Sequence, residues 1–328
     1  MHRNRDAETG AALLTVLLIV AVVSIVAANA LEKMRLANRL GSNAIALEQA
    51  RGYAMAAETL ATTRIDGLLK RDGARVTLAG GWSGTPFPLP VPDAIATAMV
   101  VDGGNCFNLN SLVTETQPGV YVMRPASVTQ FARLMRLVGV PGQEAVGIAA
   151  AAADWIDSDS DVQPQGAEDA SYGRGATAYR TANTLMADVS ELRSVAGVSP
   201  LIYRQLSRWL CTQPRAAVSR LNVNTLLPEQ APLLAMLFPD TLDVARARQL
   251  LVERPAQGFA STNEFFQRPA LQGLAAGPEI GEQTAITTQW FSLTVSVTLG
   301  NAVLNQQALI DARARPAQVV SRGWDDPA

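Results

Sequence analysis

The sequence is almost without histidine: of 328 residues the single one is His2, in the polar stretch ahead of the first apolar run. A body that holds no imidazole cannot run a Ser-His-Asp or Cys-His mechanism, and histidine cannot be among its metal ligands. Cysteine is nearly as scarce. Cys106 and Cys211 stand far apart with no CxxC spacing, which argues against dithiol redox and zinc chemistry. If the body lies outside the cytoplasm, a disulfide between them is the natural reading; two buried free thiols are the alternative. Charge is sparse as well, at 17% of residues with a net of −2, so no overall field draws the protein to nucleic acid or anionic lipid. There is no GxxxxGK[ST] phosphate loop and no GxSxG elbow, and nothing marks a carboxylate pair for acid–base work. The chain is not expected to be an enzyme.

What is present, first of all, is one long apolar run. Residues 1–10, MHRNRDAETG, form a polar leader carrying Arg3 and Arg5, and residues 11–31, AALLTVLLIVAVVSIVAANAL, contain no charge. These roughly 20 positions, at about 1.5 Å each, span about 30 Å, the hydrocarbon thickness of a bilayer. Charges return at Glu32, Lys33 and Arg35, and a helical pattern continues to about residue 70. One helix, half in lipid and half in water, is expected. A secretory signal would be cut after a small-x-small site such as Ala28-Asn29-Ala30, an uncleaved signal anchor would keep its leader, and a prepilin-type leader would be cut between Gly10 and Ala11.

After a Gly- and Pro-rich passage at residues 80–92, the stretch 94–101 (AIATAMVV) predicts a strand. Residues 286–299 alternate apolar and polar, Gly300-Asn301 is turn chemistry, and 302–312 predicts a partner strand, with a last short one near Val319-Val320. From 125 to 285 the apolar spacing is helical, in SVTQFARLMRLVGV, in EAVGIAAAAADWI, around 201–210 and around 245–252. The fold class expected is α+β: a pilin-like long N-terminal helix on a small antiparallel sheet, with a large inserted all-helical domain. In residues, the sheet domain takes 32–124 and 286–328, and the insertion 125–285. Asn108-Leu109-Asn110-Ser111 and Asn222-Val223-Asn224-Thr225 read as helix N-caps, the first for a helix beginning near Leu112. Residues 186–210 and 221–254 look like two helix-hairpin-helix units. Such units grip DNA phosphates elsewhere, and Arg193, Arg204, Arg208, Arg246 and Arg248 are at hand. A packed helical scaffold is the preferred reading, because the second hairpin has PDT where a glycine turn would serve DNA.

The sharpest local signal is DWIDSDSDVQPQGAEDASY. Asp157, Asp159, Asp161 and Glu168 take positions 1, 3, 5 and 12 of a twelve-residue calcium loop. Val162 stands where such loops have glycine, and no standard second helix follows. A solvated acidic loop is the alternative.

The order of these parts resembles the K-type minor pseudopilin of the general secretion pathway, over nearly the whole chain. The leader ends in Gly10, Thr15 stands where pilin-like proteins usually carry an intramembrane Glu, and Asp154-Trp155-Ile156-Asp157, Gly166-Ala167-Glu168 and Tyr172 match the family's acidic stretch. The resemblance implies cleavage and methylation at Ala11 by the prepilin peptidase, structural Ca²⁺ and an inner-membrane helix with the body in the periplasm. It also implies assembly with other minor pseudopilins and the major pseudopilin into a fibre tip that caps or starts a pseudopilus. The insertion would then be free to touch a secreted protein or the outer-membrane channel. A DNA-handling minor pilin of a competence or type IV pilus system is the alternative, and a plain signal-anchored periplasmic protein a third; no nucleic-acid partner is expected.

Overall fold

The computed structural model describes residues 5–173, 178–275, 277 and 279–325, with side chains from Leu13 to Trp324 within these ranges. The first four residues of the expected leader lie outside the described residues. A single helix, α1, runs Arg5–Asp72, about 100 Å at 1.5 Å per residue. From Leu13 to Ile45 it is exposed on every side, and this part is long and apolar enough to cross a membrane. Beyond it, Ala50, Ala54, Ala57, Ala61, Ile65 and Leu68 recur at helical spacing and are buried.

That stripe packs on an antiparallel sheet. The strands are, in chain order, β1 (Phe87–Pro88) and β2 (Ile95–Asp102) before the helical body, which contributes the short β3 (Phe107–Asn108), β4 (Val113–Gln117), β5 (Val120–Met123), β6 (Leu210–Cys211), β7 (Leu221–Asn222) and β8 (Thr284–Ala285). After it come β9 (Trp290–Leu299), β10 (Ala302–Asp311) and β11 (Gln318–Asp325). The main sheet has the order β1-β2-β9-β10-β11, and its register places Ala98 opposite Val295 and Val295 opposite Gln306. The alternation expected in β9 is present: Leu293, Val295 and Val297 share one face and are fully buried in the core that includes α1.

The helical body holds α2 (Pro125–Leu137), α3 (Gly142–Ile156), α4 (Asp169–Tyr172), α5 (Pro200–Leu206), α6 (Ala231–Ala235), α7 (Val244–Val252), α8 (Thr262–Phe266) and α9 (Ile280–Gln283) around its own core. Two expectations are corrected. Phe107, Leu109, Leu112, Val113 and Met123, assigned from sequence to the sheet domain, pack in the helical core, so the division falls near Asn105 and not at residue 124. The helix expected near Leu112 is a single 3₁₀ turn, Leu109–Leu112, capped by Asn108.

The body is built twice on one pattern, and the matching halves are not the two hairpins that the sequence suggests. Each half opens on a two-residue strand, β3 or β7, that ends in Asn-x-Asn. The first carboxamide accepts from the N–H of the second asparagine, Asn110 to Asn108 at 3.3 Å and Asn224 to Asn222 at 2.9 Å. The second carboxamide clamps a distant backbone: Asn110 accepts from Met186 N–H at 2.8 Å and Asn224 from Phe259 N–H at 2.7 Å. Asn110 and Asn224 donate back to Met186 O and Phe259 O. Next in each half an Asp or Ser caps a short helical turn, and Glu191 or Glu264 turns back to accept the N–H of Ala187 or Ala260. Each half closes with a parallel strand, β6 on β3 and β8 on β7. Residues 186–210 are therefore the end of one half and 221–254 the start of the other. In the first half Cys106 and Cys211 are disulfide-bonded, with Cα atoms 5.8 Å apart.

The two bodies meet at a buried polar junction. Asp102, at the end of β2, accepts from Thr225 Oγ1 at 2.5 Å, from Thr288 Oγ1, and from Gly104 N–H at 2.9 Å. Burial pushes its carboxyl up to about 6, against the pull of those donors. The Asn222 carboxamide donates to Val76 O and Thr288 Oγ1, and its backbone N–H donates to Asn105 Oδ1 at 2.8 Å. Replacing Thr225 by valine removes a donor from Asp102 and leaves Asn105 Nδ2 without its acceptor. Thr225→Val is expected to cost about 1–3 kcal/mol, read as a lower urea midpoint of the full-length chain in detergent.

Candidate metal centre

The centre forms where α3 runs out. Ala149 to Ala153 are all buried, because small side chains let this helix pass through the middle of the body. One turn at its end then carries two acids on one face, Asp154 and Asp157, both fully buried. Asp157 caps the helix in an extended conformation and sends the chain outward through Asp159 and Asp161. The loop returns through Gln165, at φ 68°, and Gly166, where a Cβ would collide with the Asp154 carboxylate. Glycine thus stands where the chain must pass close to an acid, and not at the sixth loop position.

Glu168 comes back under Asp157 and is 3% exposed. Asp157, Asp159 and Glu168 each offer a carboxylate oxygen, and these oxygens lie within 4.8 Å of one another. Asp161 does not join them: its N–H donates to Asp159 Oδ1 at 2.9 Å, and its side chain is exposed. Loop spacing misses Asp154, whose Oδ2 accepts from Gln163 N–H at 3.2 Å. Its signal in the sequence is the i, i+3 pairing with Asp157 at a helix end. The four-residue α4 that follows Glu168 is far shorter than the second helix of a helix–loop–helix calcium site.

Both oxygens of Asp157, Oδ1 of Asp154 and Oε1 of Glu168 are buried without a hydrogen-bond partner. None of these acids forms an ion pair among the described residues. Burial, and then repulsion from Asp159, Asp154, Glu168 and Asp161, pushes Asp157 up to about 7. Burial likewise raises Asp154 and Glu168. Orphaned carboxylate oxygens converging beside the exposed Asp159 suit a hard divalent cation, and Asp157, Asp159 and Glu168 could hold one with Asp154 beside them.

Neighbouring segments are tied to this loop. Thr181 donates from its hydroxyl to Glu168 Oε2 at 3.2 Å and from its N–H to Asp169 Oδ1 at 3.0 Å. The backbone N–H of Thr181, and then its hydroxyl, hold Asp169 below the usual carboxylate range. Ser158 exchanges two bonds with Tyr121 of β5. Trp155 meets Tyr172 edge-on at 5.4 Å, and Tyr179 lies 5.2 Å from Tyr172. As for the arginines of the supposed hairpins, Arg193 lies over Tyr203 and Arg208 over Trp209, while both Asn-x-Asn turns are engaged with internal backbone. Gly10 and Ala11 lie within the first turns of α1.

Two outcomes are expected. Tb³⁺ luminescence excited through Trp155 appears with the wild-type chain and is displaced by Ca²⁺; it is lost in Asp157→Asn and kept in Asp161→Asn. Without an ion, Asp157 favours the folded state only while protonated, so its contribution is present below its unfolded pKa of about 4 and is lost as pH rises through about 7. A bound cation reverses that sign by favouring the ionised form. Chelation should therefore lower the unfolding temperature more at pH 7.5 than at pH 5.5, and calcium at about a hundredfold its Kd should restore about 2.7 kcal/mol.

Comparison with known proteins bears on the whole chain. Two family profiles, both described as type II secretion system (T2SS) protein K, match residues 105–215 and 221–288, which correspond closely to the two halves of the helical body. The type II secretion system protein K of Klebsiella pneumoniae is 36% identical over 98% of this chain and 97% of its own length. That of Pectobacterium carotovorum subsp. carotovorum is 34% identical over 98% and 97%, and that of Pseudomonas aeruginosa 33% over 95% and 90%. Among solved structures, a chain of the GspK-GspI-GspJ complex from the enterotoxigenic Escherichia coli type 2 secretion system superposes with a TM-score of 0.75. It is 29% identical and covers 85% of this chain and 97% of its own. None of these matches supports the DNA-handling pilin.

Proposed function

The chain belongs to the type II secretion system protein K family, and we propose that it ends a short periplasmic fibre of pseudopilins. It is a minor pseudopilin of type II secretion, a structural component anchored by an N-terminal apolar helix with its body in the periplasm. The observation that carries the tip assignment is the likeness, over 85% of this chain, to a chain that crystallised with GspI and GspJ, which makes the corresponding minor pseudopilins the partners proposed here.

Physical features of this chain support the position. In a fibre of packed α1 helices, a subunit is followed by another stacked above it. Here the C-terminal half of α1 packs on the sheet, and the sheet carries a helical body of more than half the described chain, which in this reading would stand where a further subunit would stack. The apolar half of α1 has Thr15 in place of an intramembrane acid. A carboxylate in the bilayer needs a partner, and a subunit that starts or ends the row can do without one. The anchoring membrane in this reading is the inner membrane, and the ion at Asp157, Asp159 and Glu168 is calcium, which neutralises acids that the fold has buried together.

The test is the mature amino terminus. With the prepilin peptidase present it is expected at Ala11, and without the peptidase at Met1. Cleavage near Leu31, or an unchanged Met1 in both strains, would remove the fibre reading.

A further inference from the structure

Between α1 and the loop that follows it lies a cavity of about 300 Å³, used neither by the junction nor by the acidic centre. Its floor is apolar, made by the buried Ala61, Ile65 and Leu68 of α1 and Val100 of β2. Its wall is aromatic and rigid. The indole N–H of Trp82 donates to Thr77 O at 2.7 Å, its ring meets Phe291 edge-on at 5.4 Å, and the loop is tied to the sheet by Gly84 N–H on Val100 O at 2.9 Å.

The rim is positive. Arg64 lies 4.3 Å over the ring of Phe87, is exposed, and forms no ion pair among the described residues. Asp66, the acid nearest in sequence, accepts instead from Ala317 N–H at 3.1 Å. Lys70 adds a further positive charge in the last turn of α1, where Arg71 is paired with Asp72 at 3.1 Å. One turn beyond Arg64, Gly67 is exposed, and a Cβ there would meet nothing within 4 Å. Glycine weakens a helix interior, and no neighbour among the described residues requires it at that point. It does allow a second backbone to approach.

We propose that this cavity and its rim receive a helix of a neighbouring pseudopilin, which crosses α1 over Gly67, seats an apolar side chain against Trp82 and Phe87, and sets a carboxylate one turn away on Arg64. The proposal rests on the fibre-tip reading and names a surface for it. The chemistry is that of an interface anchor: an apolar knob in a preformed hole, beside an arginine already ordered on an aromatic face and ready to take a carboxylate in two-pronged fashion.

The experiment titrates the full-length chain, in detergent, with the I-type and J-type subunits of the same secretion system. Arg64→Glu and Gly67→Leu are compared with wild type. Both positions are exposed, so unfolding temperatures are expected to stay at the wild-type value. Each substitution should weaken binding about tenfold or more, and a photo-crosslinking amino acid placed at Thr63 should capture one of the two subunits. If wild type binds and both variants bind as well as it does, the cavity is not the docking site, and the tip assignment stands without it. If wild type binds neither subunit, the tip reading fails and this inference fails with it.

Discussion

The helical body depends on a buried carboxylate at the point where the chain enters and leaves it. Asp102 accepts from the outgoing chain at Gly104, from Thr225 in the second half, and from Thr288 on the return. At this crossing neither the sheet ladder nor any helix continues, so backbone and hydroxyl groups that would otherwise be satisfied by regular structure need side-chain partners. An apolar residue in place of Asp102 would fill the space and take the acceptor from three donors, of which Thr225 Oγ1 has another within reach at Asn222 O, 3.2 Å away. Burial raises the carboxyl, and the alternative to that cost is a crossing with no polar partner at all. Asn105 and Asn222 extend the same logic on either side.

Within the body, the same device is used twice. Asn-x-Asn replaces a sheet: a strand of two residues cannot hold a distant segment by ladder bonds, so a carboxamide, which both donates and accepts, reaches across instead. The halves differ in what lies between the second helix and the clamped segment. In the second half α7 passes through a short turn to Phe259. In the first, α3 ends in Asp157 and the chain makes a long excursion before Met186. In the described part of that excursion Tyr172 packs on Trp155 of α3, with the partly exposed Tyr179 against both, and the three acids Asp154, Asp157 and Glu168 are buried beside them. Those acids form no ion pair among the described residues, which is why the orphaned oxygens of Asp157 weigh more than their spacing in the sequence.

The large features are legible in the sequence for a physical reason: each is a repeated signal. The apolar run, the alternation in β9 and β10 and the 3.6-residue stripe of α2 and α3 each sum weak preferences over many residues. What escapes is carried by single side chains. Nothing periodic distinguishes a cap from a clamp at Asn110, so the Asn-x-Asn turns read as caps, and the repeat aligns by its helices and not by its clamps. Phe107 and Leu112 fall to the wrong body because an apolar residue declares that it is buried, not which core buries it. Asp161 has the right spacing and Asp154 does not, yet a loop that returns at Gly166 aims carboxylates by its own path, which one-dimensional spacing does not encode.

The helix α1 shows why such single contacts are kept. Its buried face is alanine at Ala50, Ala54, Ala57 and Ala61, and a smooth face of that kind packs about as well if the helix slides by one turn, about 5.4 Å. Glu58 ends that freedom. It is 5% exposed on the same face, bonded to Arg322 of β11 at 2.6 and 2.8 Å and to Gln306 of β10. A shift by one turn would carry this buried carboxylate away from Arg322 and Gln306, a far larger loss than any change in alanine packing. The contacts of Glu58 thus hold a register that the alanines alone leave open. Because α1 is also the membrane helix, fixing its register on the sheet fixes how far both bodies stand from the bilayer. In an assembly built by parallel helices, that height decides which subunit can stand above which.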